Sequence, residues 1–253
     1  MMIDDVVKEI EKNTGRQIVF AALRGSRNYG LETPESDYDY AVFVMPTHRE
    51  LYDGELNYTK EVKGNIRGDL YEATIYDIRR LPRLASEMNP AFIEIFKSKS
   101  NYYRNLDILV GLSSLTNRLV HANLTKLYYS SLGVIKYERT HMYKGKYTGL
   151  TGEYEYDWKK AMHAYRFMYI LLNYGPDVDL EDVLRPPTHV NDIMRHIRAG
   201  AYNREDIETL LDLLAKDVEK RKDIFTSAPI DNDAFTELNE TIYNKLFCDH
   251  SLP

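Results

Sequence analysis

Residues 17–45 read QIVFAALRGSRNYGLETPESDYDYAVFVM, and this stretch decides the fold. Its two apolar runs, 17–23 and 38–45, have the length and composition of buried β-strands. Between them, the glycine-containing segment 24–30 is predicted to turn out of the first strand into a short helix. A polar spacer then leads to an acidic pair at the start of the second strand. The stretch therefore predicts two strands joined by a turn and a helix start.

The segments around this stretch predict a small mixed β-sheet with flanking helices. Residues 3–13 have helical periodicity, and 55–77 are typical of a hairpin, which we expect to turn at Lys63-Gly64-Asn65. Residues 77–96 predict two consecutive helices, separated at Asn89-Pro90.

Beyond residue 100 almost no strand signal remains. The predicted helices there are 106–139, 157–173, 190–199, 204–225 and 231–247. We therefore predict an α+β protein, with a small sheet-containing domain over 1–100 and an all-helical domain over 101–253.

The composition is that of a globular protein, with 43% hydrophobic and 28% charged residues among 253. The net charge of −6 argues against extensive duplex nucleic-acid binding, which depends on a basic surface. The single cysteine, Cys248, excludes an intrachain disulfide and fits a reducing compartment. We see neither a signal-peptide pattern nor an apolar run of about 20 residues, and we expect a cytoplasmic protein with no membrane contact.

Asp37 and Asp39 are the first candidates for chemistry. Residues two apart on a strand point to the same face, so both carboxylates can be directed at one point. Two such charges repel each other unless a cation lies between them or one carboxylate takes up a proton. Mg²⁺ prefers oxygen ligands and commonly binds one or two carboxylates together with substrate phosphates. An Asp-x-Asp sequence can also be a turn or a solvated strand edge, but its place after an apolar strand and Gly25-Ser26 favours a metal site.

A third carboxylate would complete a two-metal site. Asp69 and Glu72 are the candidates, and they would face opposite sides of a regular strand. We prefer Glu72, because it lies in an apolar run where a carboxylate is costly unless it is paired or binds a metal.

Several other residues are candidates for nucleotide binding. At Gly25-Ser26 a glycine allows close approach of the backbone, and the serine hydroxyl can donate to phosphate oxygens. Arg24 or Arg27 could add positive charge there, or could simply be solvated. His163 and Arg166 lie three residues apart on a predicted helix and can share a face. That face is either a basic rim that meets the triphosphate or acceptor, or a salt-bridge face between domains.

These motifs resemble the signature of the DNA polymerase beta-like nucleotidyltransferase superfamily. The resemblance is carried by 25–31 and 33–39, and within the superfamily it is closer to the YcgL-type predicted nucleotidyltransferases of bacteria and their phages. It continues through 72–81, through Asn89-Pro90 to Glu94, and more weakly into the helical half. In that group the third acid is usually aspartate, so Glu72 is a departure from the pattern.

The resemblance implies an enzyme that transfers a nucleoside monophosphate from an NTP to an acceptor hydroxyl and releases pyrophosphate. It implies Mg²⁺ or Mn²⁺ held by Asp37, Asp39 and Glu72, with the phosphates held near Gly25 and Ser26. The acceptor is left open among a small molecule, a protein side chain and an RNA end. The alternative is a non-catalytic nucleotide-sensing or protein-interaction module that keeps the fold. The enzyme is favoured by the presence of Gly25, Ser26, Asp37, Asp39 and an acid near position 72.

Overall fold

The computed structural model describes residues 3–54, 58–143 and 156–244, and it confirms the predicted α+β class. Cys248 and the predicted helix break at 144–146 lie outside the described residues.

The sheet contains β1 (Ile18–Arg24), β2 (Tyr38–Val44), β3 (Thr59–Ile66), β4 (Asp69–Asp77) and β5 (Asn101–Tyr103). Its strand order is β3-β4-β2-β1-β5. Strands β2 and β4 are parallel, whereas the other neighbouring pairs are antiparallel, so the sheet is mixed as predicted.

The described helices follow one another along the chain as α1 (Ile3–Thr14), α2 (Ser26–Tyr29), α3 (His48–Tyr52), α4 (Leu81–Ser86), α5 (Pro90–Ile93), α6 (Leu106–His121), α7 (Leu124–His141), α8 (Trp158–Asn173), α9 (Leu180–Leu184), α10 (Thr188–Arg198), α11 (Arg204–Lys220), α12 (Lys222–Thr226) and α13 (Asn232–Tyr243). Two short 3-10 helices, Ile78–Arg80 and Glu94–Lys97, accompany α4 and α5. None of the helices in this described part of the chain has the length and apolar character needed to cross a bilayer.

Two compact units are formed, one by Met1–Ala122 together with Ile230–Pro253 and the other by Asn123–Pro229. The first unit therefore contains the sheet together with α6 and α13, which lie beyond residue 100. These bounds differ from the expected division at residue 100, and the position of a domain boundary there stays a prediction.

One face of the sheet packs against α1. Ile3, Val6, Val7 and Ile10 are buried at helical spacing and join a core with inward-facing residues of the strands. Burial of each such side chain contributes about 1.5–3 kcal/mol, so this helix holds the sheet by its apolar stripe.

The opposite face of the sheet is closed at one end by aromatic rings. Phe20 stacks on Phe43 with ring centroids 5.7 Å apart, and Phe43 stacks on Tyr76 at 5.4 Å. Phe92, from α5, meets Phe43 and Tyr76 edge to face. Because these rings fill one end of the face, polar side chains on the same strands are left at the other end.

The predicted hairpin is present, but its turn was placed wrongly. Gly64 lies inside β3 opposite Tyr71, and a Cβ atom at Gly64 would be 2.4 Å from the Tyr71 ring. The chain instead turns at Arg67 and Gly68, which both have positive φ. The Asn65 side chain accepts a hydrogen bond from Gly68 N–H at 2.9 Å and stabilises that turn. The glycine at 64 therefore makes room for a ring and does not mark a turn.

The predicted helix over 106–139 is divided into α6 and α7. The division lies at Asn123, whose side chain accepts a hydrogen bond from the Lys126 N–H and so caps the N-terminus of α7. In the second unit, α8 packs against α7, α10 and α11.

The last described helix, α13, returns to the first unit and packs against α6 and α4. Arg118 on α6 forms ion pairs with Asp231 and Glu237. The Asp231 N–H donates to the Ala122 carbonyl at 2.8 Å, so the two points at which the chain leaves and re-enters this unit are joined.

Candidate active site

The three predicted acids lie together at the open end of the sheet face. Asp39 on β2 and Glu72 on β4 are direct neighbours in the parallel register. By strand alternation they share a face with Phe43 and Tyr76. Asp37 lies immediately before β2, and carboxylate oxygens of all three acids are within 4.8 Å of one another. Each acid is partly exposed, so the group is open to a ligand.

Asp69, the alternative third acid, begins β4 and pairs with Ile66 of β3. It is three residues from Glu72 and therefore belongs to the other face of the strand. Within the described ranges, the group of carboxylate oxygens that lie within 4.8 Å of one another contains Glu72 and not Asp69. This geometry favours Glu72, and the identity of the third ligand stays a prediction.

Gly25 connects β1 to α2 in a conformation that other residues avoid. Its φ and ψ angles are 73° and −162°, a region occupied almost exclusively by glycine. A Cβ atom here would lie 2.4 Å from Oδ2 of Asp39. The backbone of the turn therefore lies directly against one of the acids. Ser26 follows as the first residue of α2 and is partly exposed.

Glu94 stabilises this turn by a hydrogen bond. It was not predicted as a site residue. Glu94 is 2% exposed, and its carboxylate accepts a hydrogen bond from the Gly25 N–H at 3.1 Å. Burial of an ionised carboxylate is costly unless it is well bonded. A signal was present in the sequence, because Glu94 interrupts the apolar run Ala91-Phe92-Ile93-Glu94-Ile95-Phe96.

Arg27, a predicted nucleotide ligand, supports the loop that carries Asp37. Its guanidinium donates to the Ser36 carbonyl at 2.6 and 3.0 Å and to the Asp37 carbonyl at 3.2 Å. It also lies over the Tyr38 ring, 3.9 Å from the centroid. These contacts place Arg27 beside the acids, and its role toward a nucleotide stays a prediction.

Two further cations lie near the acids. Arg24 is the register partner of Asp39 on β1, and its guanidinium donates to Oγ1 of Thr74 at 2.8 Å. Lys63 is the register partner of Glu72 on β3, and its Nζ lies 2.8 Å from Glu72 Oε2. The hydrogen bond to Glu72, followed by the nearby negative charges, raises the pKa of Lys63 above its ordinary value. Lys63 was predicted as a turn residue. With the turn located correctly, the alternation of β3 would have placed Lys63 on the same face of the sheet as Glu72.

His163 and Arg166 belong to α8 in the second unit. His163 Nδ1 lies 3.7 Å from Glu138, which also pairs with Lys160 at 3.4 Å. Burial, the largest influence, raises the pKa of Glu138, but His163 and Lys160 together bring it below its ordinary value. Arg166 is 4% exposed, with its guanidinium carbon 5.2 Å from the Phe167 ring centroid. Nucleotide binding by His163 and Arg166 stays a prediction.

The donor set determines what the site can bind. Three carboxylates within 4.8 Å supply hard oxygen ligands, which suit Mg²⁺ or Mn²⁺. A glycine turn beside them brings backbone close to whatever the ion binds. The arrangement fits a divalent ion shared between the protein and a phosphate group.

Three comparisons relate this chain to known proteins. A family model described as "RlaP: RNA repair pathway DNA polymerase beta family" matches residues 2–244. The chain is 32% identical over 101 residues to the uncharacterized protein YcgL of Bacillus subtilis (strain 168), an alignment that covers 40% of this chain and 38% of that protein. The chain thus spans well under half the length of this curated relative.

A solved structure of a nucleotidyltransferase-like protein from Exiguobacterium sibiricum 255-15 aligns over 96% of this chain and 76% of its own, with 12% identity and a TM-score of 0.30. The resemblance to the DNA polymerase beta-like superfamily is confirmed by the family match, which covers nearly the whole chain. The chain therefore belongs to the RlaP family of DNA polymerase beta-like proteins.

Proposed function

We propose that this protein is a metal-dependent nucleotidyltransferase that moves a nucleoside monophosphate from an NTP to an acceptor hydroxyl. The observation that carries the proposal is the meeting of the Asp37, Asp39 and Glu72 carboxylates within 4.8 Å, beside the Gly25 turn. In the reaction the acceptor oxygen forms a bond to the α-phosphorus and loses its proton. The bond from the α-phosphorus to the bridging oxygen breaks, and pyrophosphate leaves.

Asp37, Asp39 and Glu72 would hold the divalent ions. Such ions lower the pKa of an acceptor hydroxyl and neutralise charge on the leaving pyrophosphate. Glu72 is one methylene longer than the usual aspartate, and its position opposite Asp39 on a neighbouring strand still brings its oxygens into the group.

The remaining residues would bind and orient the triphosphate. Gly25 and Ser26 would contact the β- and γ-phosphates, because the turn approaches Asp39 without a side chain in between. Arg27 would fix the loop before β2 so that Asp37 stays directed at the group. Nucleotide binding by His163 and Arg166, which lie on α8 of the second unit, is proposed from the sequence alone.

We propose an RNA end as the acceptor. The family's description places it in an RNA repair pathway, and that description favours an RNA end over a small molecule or a protein side chain. A net charge of −6 is compatible with recognition of an end, since only a few phosphates need to be neutralised, and it disfavours long duplex contacts.

The test is incubation with each α-labelled NTP, Mg²⁺ or Mn²⁺, and short RNAs that carry a free 3′ hydroxyl. We expect pyrophosphate release and RNA lengthened by labelled nucleotide, and loss of both in Asp37→Asn and Asp39→Asn. Mass spectrometry of the protein and of a small-molecule pool tests the other two acceptor classes. Absence of pyrophosphate with every NTP, metal and acceptor would support the non-catalytic alternative.

A further inference from the structure

A row of charged residues crosses four strands of the sheet at the acidic site. Arg24, Asp39, Glu72 and Lys63 are successive register partners on β1, β2, β4 and β3. The two acids occupy the centre of the row, and a cation stands at each end. Arg24 donates to Thr74, whereas Lys63 pairs directly with an acid of the metal-binding group.

The Lys63 contact is made to the carboxylate of Glu72, an acid that a metal ion would also use. Nζ lies 2.8 Å from Glu72 Oε2, and the Lys63 side chain is 71% exposed. Glu72 lies in the same 4.8 Å group as Asp37 and Asp39, so the ammonium offsets part of the negative charge of three close carboxylates. An exposed, flexible lysine on an edge strand can leave this position at little cost.

We propose that Lys63 is a positioning residue for Glu72, acting as an internal counter-ion that competes with the divalent ion for its carboxylate. Before metal binds, the ammonium holds one oxygen of the Glu72 carboxylate and reduces the repulsion among the three acids. When a metal ion binds the same carboxylate, the ammonium repels it and competes for the negative charge of Glu72, because like charges a few ångströms apart repel. Lys63 thereby weakens metal binding in the absence of a triphosphate. This inference rests on the proposed function.

The test is titration of Mn²⁺ by calorimetry into the full chain without nucleotide, so that it does not depend on activity. We expect Lys63→Met to bind Mn²⁺ about two- to fivefold more tightly than the natural protein, the range for an exposed ion pair. Lys63→Arg keeps the charge and should bind like the natural protein. Lys60→Met is the matched control, because Lys60 is exposed on the same strand but on the other face.

The outcomes separate this inference from the proposed function. If Glu72→Gln loses Mn²⁺ affinity while Lys63→Met binds with unchanged or weaker affinity, the metal site stands and the role of Lys63 is refuted. If the natural protein does not bind Mn²⁺, or if Glu72→Gln binds it equally well, the assignment of Glu72 as a metal ligand fails, and the inference fails with it. A gain shared by Lys60→Met would indicate a general charge effect and would also refute the specific role.

Discussion

Replacement of Gly25 by alanine tests how the turn at Gly25 depends on its close approach to Asp39. Gly25 has φ 73° and ψ −162°, and an added Cβ would lie 2.4 Å from Asp39 Oδ2. The alanine therefore introduces two separate perturbations, which are a strained backbone and a steric clash with the Asp39 carboxylate.

The cost of each perturbation, in stability and in rate, follows from the structure. Backbone strain in a region of this kind costs about 1–3 kcal/mol of folding stability. An ordinary carbon contact begins near 3.4 Å, so the Asp39 carboxylate must move by about 1 Å. A displacement of about 1 Å in a catalytic group lowers the rate by roughly 100-fold. We therefore expect Gly25→Ala to lose about 100-fold in kcat/KM in addition to some stability.

Gly15→Ala is the matched control for the backbone strain. Gly15 also has a positive φ of 67°, but a Cβ there would meet nothing within 4 Å. It should lose about 1–2 kcal/mol of stability and keep its activity. The measurements are thermal denaturation and pyrophosphate release at saturating metal. If Gly25→Ala keeps full turnover, or if Gly15→Ala loses as much activity, the contact between the turn and Asp39 is not what the chemistry depends on.

Three further predictions concern charge. Asp39→Asn should abolish turnover and leave the melting temperature unchanged or raised, because it removes a like-charge repulsion; a large loss of stability would instead indicate a structural role. Glu72→Gln should lose activity and Asp69→Asn should keep it, and the reverse result in the pyrophosphate assay would make Asp69 the third acid. The ion pair with Arg16 lowers the pKa of Glu50 to about 2 from an ordinary 4.5. The pair should therefore contribute about 1 kcal/mol of stability above pH 4.5 that disappears as the pH falls toward 2, so melting curves of Glu50→Gln should show a weaker acid dependence in that range.

The sequence predicts the strands, and the sheet face that each candidate acid occupies, because both depend on local patterns. Strand periodicity places Asp39 on the side opposite the α1 core, and the apolar run around Glu72 makes its carboxylate conspicuous. The alternation of β4 also separates Glu72 from Asp69. These features need no knowledge of distant contacts.

The parts that sequence reasoning missed depend on contacts between distant segments. Gly64 looks like a turn residue until Tyr71 is placed opposite it, and that error concealed the pairing of Lys63 with Glu72. Glu94 reaches Gly25 across 69 positions of the chain, a contact that periodicity does not indicate.

The return of α13 to the sheet-containing unit has a consequence for biosynthesis. Because α6 and α4 receive this helix only after the residues of the second unit have been made, nascent chains that stop between 123 and 229 lack it. In such truncated products Arg118 lacks its ion-pair partners Asp231 and Glu237. The side of α6 that packs against α13 stays exposed to solvent. We expect quality-control proteases to remove these fragments, so that the first unit is complete only in chains whose synthesis has passed α13.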